Sequence, residues 1–252
     1  MPKKKREHDH VTGDDSPVPS GMTRFYWLLG AVAILGIGIV GYAVVSKRED
    51  PTVSQPIGVV GLEDPGTLMS LARGVEKGDA QAPITIVEFG DFQCPVCGEF
   101  ERLVKPFIDA EFVNTGRAKF VFYDFPLSIH PNAFLAARAA RCAEDQGKFW
   151  EYHDNLFQNQ SEWSPILSPA GIFEDYAALV GLEPGTFGSC LRSDRHAGLV
   201  TANMALATQL QAPGTPTIMV RRGRGVGRRV PHSIEGIREA IMALETGSDD
   251  PR

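Results

Sequence analysis

The chain has 252 residues, 43% of them hydrophobic and 22% charged, with a formal net charge of −6 at pH 7. That length holds one ordinary domain plus appendages, or two small ones, and the apolar content excludes a globally disordered chain. The acidic balance gives no general drive toward nucleic acid, and four cysteines are too few for a disulfide-built scaffold.

Residues 1–24 are charged and contain Pro, Ser and Gly, and read as a tail with no core of its own. Residues 25–45, FYWLLGAVAILGIGIVGYAVV, carry no charge. At about 1.5 Å per helical residue they reach roughly 30 Å, the thickness of a bilayer core. Phe25, Tyr26 and Trp27 at one end and Tyr42 at the other suit membrane interfaces. The run is longer than a signal-peptide core and has no small-x-small site, so it reads as a retained transmembrane anchor, with a cleaved signal as the competing reading. Lys3, Lys4, Lys5, Arg6 and Arg24 precede it, against Lys47 and Arg48 after it. By the positive-inside rule the tail is cytoplasmic and everything after residue 46 is periplasmic or its equivalent, where disulfides persist. Gly36, Gly38 and Gly41 match a dinucleotide-binding spacing but lack the strand and helix start that give it meaning, and read as membrane-helix glycines.

Residues 46–74 carry prolines and glycines without a sustained period and read as a linker, with one short helical turn in LEDPGTLMSLARG. An ordered domain is expected over 75–248. Ile84–Phe89 has the β-branched, mostly apolar character of a buried strand. Apolar residues recur every three or four positions from Pro95 to Val113, a helical pattern, which Gly116 ends. Ala118–Phe125 reads as a second strand, and residues 132–211 as a helical block broken by Gly, Pro and Ser. Thr217–Val220 and Val226–Val230 suggest a hairpin, and Ser233–Glu245 a closing helix capped by Ser233. The order is β-α-β, a helical block, then β-β-α, without internal repeat.

Cys94-Pro95-Val96-Cys97 falls where the first strand passes into the first helix. A zinc knuckle commonly needs two such pairs, or a pair with nearby histidines. Cys142 and Cys190 stand alone, and His153 and His196 have no ligand-like spacing to the pair, so no metal is expected. As a structural staple the pair closes a tiny loop and removes little chain entropy. As a redox pair it is well placed: Cys94 at a helix N-terminus, where free N–H groups and the helix dipole favour a thiolate, and Cys97 one turn in and more buried. Pro95 suits a first helical turn, where its missing donor is not needed. Glu88, six residues before Cys94 on an apolar strand, reads as a buried carboxyl able to exchange protons with the inner thiol, or else as an edge-strand glutamate facing water. Gly214-Thr215-Pro216-Thr217 precedes the third strand; a cis Thr215–Pro216 bond would turn its backbone toward the cysteines, though trans is the default. The basic, glycine-rich run Arg221–Arg229 reads as a solvated hairpin tip, and Phe149, Trp150, Tyr152, Phe157 and Trp163 as packing. Nothing in the sequence fixes His130 near the site.

FGDFQCPVC, the segment RCAEDQGKFWEYHDNLF and GTPT together resemble the DsbA-like thiol–disulfide oxidoreductases of the thioredoxin superfamily, over about residues 75–248. The resemblance implies an α/β thioredoxin fold (75–128 and 212–248) interrupted by a helical insertion (129–211), here behind one transmembrane helix. It implies an exposed nucleophile at Cys94, a resolving cysteine at Cys97, the buried acid at Glu88, a cis-proline at Pro216 and substrate-facing backbone at Thr215. The best-known members carry histidine between the cysteines; Val96 cannot donate that hydrogen bond. Cys142 and Cys190 fall in two helical segments of the insertion and either pair, as in some relatives, or stay as buried thiols. Pairing is preferred in an exported domain, where closing their loop constrains the unfolded chain by roughly 4 kcal/mol. The expected protein is a monomer without cofactor that introduces disulfides into exported cysteine-containing polypeptides. A DsbB-like or vitamin-K-epoxide-reductase-like membrane partner re-oxidises it. A reductase or isomerase of the same fold, or a non-catalytic membrane-tethered chaperone or adaptor, are the alternatives.

Overall fold

In a computed structural model the chain is described for residues 21–46 and 52–247, with side chains in the first stretch described for 25–38. The expected tail, the charges flanking the span and the start of the linker therefore lie mostly outside the described residues. Helix α1 (Gly21–Ser46) belongs to a unit of its own, Met1–Asp50, and its side chains from Phe25 to Ile37 are exposed. Among the described residues no helix is long and apolar enough to cross a membrane; of the span expected over 25–45, the side chains beyond 38 are outside what is described.

The second unit, Pro51–Arg252, is built on a five-stranded sheet. Helix α2 (Pro65–Leu71) starts where the Asp64 carboxylate accepts from the Thr67 N–H at 2.7 Å, filling an N-terminal vacancy. Strands β1 (Val75–Lys77), β2 (Ile84–Gly90), β3 (Ala118–Asp124), β4 (Thr217–Arg222) and β5 (Arg228–Val230) lie in the order β1-β3-β2-β4-β5. β2 and β3 are parallel, as a right-handed crossover through a helix allows, and the other neighbours are antiparallel. The short strand β1 was not expected from sequence; its three residues pair Val75 with Phe122 and Lys77 with Phe120.

The helix expected to run unbroken from Pro95 to Val113 is instead divided into α3 (Pro95–Leu103), α4 (Lys105–Ile108) and a π-helical turn (Asp109–Val113). Pro106 is the reason: it has no N–H for the preceding turn, and its ring crowds the carbonyl four residues back. Between β3 and β4 run α5 (Ala133–Glu144), α6 (Phe149–Gln158), α7 (Gln160–Trp163), α8 (Ala170–Leu179), α9 (Pro184–Arg192) and α10 (Ala197–Gln209). The closing helix α11 (Ile234–Thr246) is capped by the Ser233 hydroxyl, which accepts from Gly236 N at 3.2 Å.

Alternation along β2 sorts its side chains between two cores. Val87 and Phe89 join Leu68 of α2 and Leu206 of α10 on one face, while Ile84 and Ile86 join Phe100 of α3 and Ile237 of α11 on the other. By the same two-residue period Glu88 points with Ile84 and Ile86, toward α3.

Candidate active site

The site forms where β2 ends. Residues 91–93 turn the chain, and Cys94, in extended conformation, becomes the N-cap of α3, with Pro95 its first helical residue. The Cys94 N–H donates to Asp91 O at 3.1 Å, and its carbonyl accepts the first helical bond from Gly98 N at 3.1 Å. Across from it the Thr215–Pro216 bond is cis, and the Cys94 thiol donates to the Thr215 carbonyl at 3.4 Å. Expected to be exposed, Cys94 is only 6% exposed; Cys97 is at 0% and accepts from Asp91 N at 3.5 Å. Both cysteines are unbridged here.

The two thiols differ sharply in acidity. Cys94 is lowered to about 5, chiefly by the hydrogen bond from the Cys97 thiol. That outweighs burial, with the Thr215 hydroxyl and the N–H groups of Cys97 and Val96 adding to it. The backbone at the start of α3 thus contributes, but the partner thiol contributes more, which revises an account resting on the helix terminus alone. Cys97 is pushed well above the ordinary thiol range by burial, by its bond to Cys94 and by the Glu88 carboxyl. One sulfur is a thiolate at neutral pH and the other a firmly held thiol.

Glu88 lies on the central strand, fully buried, so it is not the solvent-facing edge residue of the alternative reading. Burial raises its pKa well above the carboxylate range, reinforced by the charge and hydrogen bonding of the facing Glu101 carboxyl. Glu101 and Lys105 are buried too, with Lys105 Nζ 3.9 Å from Glu101 Oε2 and 2.9 Å from Asp109 Oδ2. Sequence reading missed both. The available signal was helical spacing: Cys97, Glu101 and Lys105 recur every four residues, which places them on the face that carries the inner thiol.

The insertion holds the cysteine loop from outside. Gln160 of α7 donates through Nε2 to Phe92 O at 2.7 Å and to Cys94 O at 2.8 Å. A side chain at Gly98 would collide with the same amide, so glycine is needed there. Gln93 Nε2 donates to Ser164 O at 2.9 Å, and Asn132 N to Gln93 Oε1 at 2.7 Å. His130, unplaced by sequence, is brought in by Asp91: its Nδ1 lies 2.7 Å from Asp91 Oδ2, which raises its pKa and also receives Leu127 N at 2.9 Å. Cys142 of α5 and Cys190 of α9 are joined by a disulfide with Cα atoms 5.8 Å apart. Among the described residues two groupings bring three metal-ligating side chains within 4.8 Å. In Cys142/Cys190/His196 the sulfurs are already bonded, and in Glu101/His153/Asp154 the Lys105 ammonium already balances Glu101, so neither offers a ligand set for a metal.

A strand, a turn bearing two thiols of opposed acidity, a helix and a cis-proline loop facing them define the thioredoxin class. The family profile described as thioredoxin matches residues 72–243, and the chain belongs to that family, in its DsbA-like branch. A Salinispora tropica protein named Na(+)/H(+) antiporter NhaA 3 is 36% identical over 168 residues, 66% of this chain and 24% of that relative. The chain thus spans about a quarter of that relative's length. Disulfide bond formation protein D of Bacillus subtilis is 32% identical over 147 residues, 57% of this chain and 65% of that protein. The crystal structure of oxidised BdbD from Bacillus subtilis superposes with a TM-score of 0.61 at 27% identity, covering 70% of this chain and 97% of that one.

Proposed function

We propose that the protein is a membrane-anchored, extracytoplasmic thiol–disulfide oxidoreductase that introduces disulfides into exported polypeptides through Cys94 and Cys97. The observation that carries this reading is the opposed acidity of the two thiols, one lowered to about 5 and the other raised. In the oxidised protein a substrate thiolate attacks Cys94 Sγ. The Cys94–Cys97 bond breaks, and Cys97 leaves as a thiolate that recovers a proton, for which buried Glu88, close enough to act on the Cys97 thiol, is the candidate acid. A second substrate thiol attacks the mixed disulfide, and Cys94 departs readily because its thiolate is stable. Thr215, half-buried beside the thiol, presents backbone to the substrate chain. A DsbB-like or vitamin-K-epoxide-reductase-like membrane protein then re-oxidises the pair, and Glu88, Cys97, Thr215 and Pro216 serve the exchange.

The uncharged run 25–45 within a 26-residue helix supports an anchor, and the basic residues before it support a cytoplasmic N-terminus. Kinship with part of a protein named for sodium–proton exchange fits a domain that works beside a membrane. Tethering raises the concentration of the domain near a membrane-bound oxidant.

Equilibration of the cysteine pair in glutathione buffers tests the direction. A potential near roughly −120 mV supports the oxidase, and one near roughly −270 mV assigns a reductase instead. Val96, whose side chain has no donor for the thiolate, is the feature that favours the second outcome. Cysteines inert to alkylation until the fold is opened would leave only an adaptor or chaperone.

A further inference from the structure

The buried acids continue past Glu101. His153 of α6 is fully buried, with Nδ1 2.9 Å from Asp154 Oδ1 and Nε2 3.6 Å from Glu101 Oε1. Neither His153 Nε2 nor Glu101 Oε1 has a hydrogen-bond partner, so two unsatisfied polar atoms face one another inside the core. Phe92, Phe122, Phe149, Trp150 and Phe157 surround the imidazole, with ring centroids 4.9 to 5.6 Å away, and fix its plane. Asp154 is different: its side chain is 45% exposed, and with Glu101, Lys105 and Asp109 it lines a cavity of about 340 Å³. The other charges facing this cluster are Glu88 from β2, Lys77 from β1, 2.8 Å from Asp109 Oδ2, and Arg102 of α3, which lines the same cavity and donates to Phe157 O at 2.9 Å.

We propose that His153 relays protons between the buried Glu88–Glu101 carboxyls and the water at Asp154, and so governs how fast Cys97 gains or loses its proton during thiol exchange. The inference deepens the oxidoreductase reading above and rests on it. Lys105 reaches the same cavity but is the wrong carrier: Glu101 and Asp109 hold its proton and lift its pKa above that of an ordinary lysine. An imidazole can accept a proton at one nitrogen while releasing one at the other.

In the oxidising direction the substrate thiolate's electron pair forms the bond to Cys94 Sγ, and the Cys94–Cys97 bonding pair leaves on Cys97 Sγ. Glu88 gives that sulfur a proton, His153 Nε2–H protonates the Glu101 carboxylate, and Glu101 passes that proton on to Glu88. A proton from water at Asp154 enters at Nδ1, leaving the imidazole as its other tautomer, and the outward proton flow when the cysteine pair is re-oxidised resets it. The electrons stay on sulfur, and one proton moves inward. The gap of 3.6 Å at Nε2 is longer than a hydrogen bond, as resting geometry at proton-transfer sites commonly is.

The test is single-turnover oxidation of a cysteine peptide by the full-length protein, followed by stopped flow from pH 5 to 9. His153→Phe keeps the aromatic packing and removes the carrier; it should slow the reaction about tenfold near neutrality, a modest share of a typical acid–base contribution. Imidazole in the buffer should restore most of the rate, and Asp154→Asn should give a smaller loss in the same direction. Because both act through Glu88, His153→Phe should add nothing in a Glu88→Gln background. A wild-type rate, or a pH-independent loss that imidazole leaves unchanged and that adds fully to Glu88→Gln, overturns the relay. Should His153→Phe not fold, the surface variant Asp154→Asn decides, and an undiminished rate overturns the relay. A wild-type protein that exchanges with no thiol sinks the oxidoreductase reading itself, which is a distinct result.

Discussion

Cys94 and Glu88 sit a few residues apart and respond to pH in opposite senses. Cys94 is an acid whose folded pKa, about 5, lies below its ordinary value of 9.0. The reduced fold therefore gains stability as pH rises from about 5 to 9 and loses it as pH falls through 5. Urea denaturation of the reduced protein should show that slope, and Cys94→Ser should abolish it. Alkylation of Cys94 should already be close to its maximal rate at pH 6, while Cys97 stays unmodified. Glu88 is an acid with a raised folded pKa, so its burden on stability is absent below the ordinary carboxylate range and grows as pH climbs above 4.5. Glu88→Gln should be nearly neutral at pH 4 and stabilising at pH 8, by about 1.4 kcal/mol for each pH unit of elevation. The cysteines, Glu88 and Pro216 were legible because each belongs to a short local pattern. Glu101, Lys105 and His153 were not, because only α6 closing over α3 takes such side chains out of water.

At the level of elements, α5 organises the insertion. Arg138 is fully buried, and its guanidinium donates to Val53 O at 2.6 Å, Arg195 O at 3.2 Å, Leu191 O at 3.2 Å and also to Ser193 O. It thereby supplies donors to carbonyls left free where α9 ends. One turn on, Arg141 pairs with buried Asp124 at the end of β3, its Nε 2.7 Å from Oδ2, while Asn203 of α10 donates to the same oxygen at 2.8 Å. Arg138→Met should lower stability by at least about 3 kcal/mol, since several carbonyls lose a charged donor at once; the urea midpoint reads this directly. The hairpin and the Ser233 cap were legible from turn glycines and a capping serine. Strand β1 was not: Val-Glu-Lys is too short to show a period, and only the open edge of β3 makes it a strand. The break at Pro106 was missed, because the strong apolar period around the proline concealed it.

Across the whole domain, the Cys142–Cys190 bridge closes a separation of 48 residues within the insertion and is far in sequence from Cys94 and Cys97. Replacing both cysteines by serine should cost about 4 kcal/mol on the chain-entropy account and leave the glutathione equilibrium of Cys94 and Cys97 unmoved. Thermal denaturation and redox titration of one double variant measure the two effects separately. The α/β core with a helical interruption could be read from element order alone, because strand and helix periods differ. How the interruption meets the site could not, because amide-to-carbonyl bonds between distant segments leave no trace in periodicity. Gln160 satisfies the main-chain oxygens of Phe92 and Cys94 from a segment inherited far along the gene. Excising residues 129–211 would leave Phe92 O without that donor and Cys94 O with only its helical bond from Gly98 N, even if the strands rejoined, so a minimal version of this domain needs a substitute amide before it can host the same chemistry. The insertion and the cysteine loop are thus structurally joined through one amide, and a graft of the loop should carry Gln160 with it.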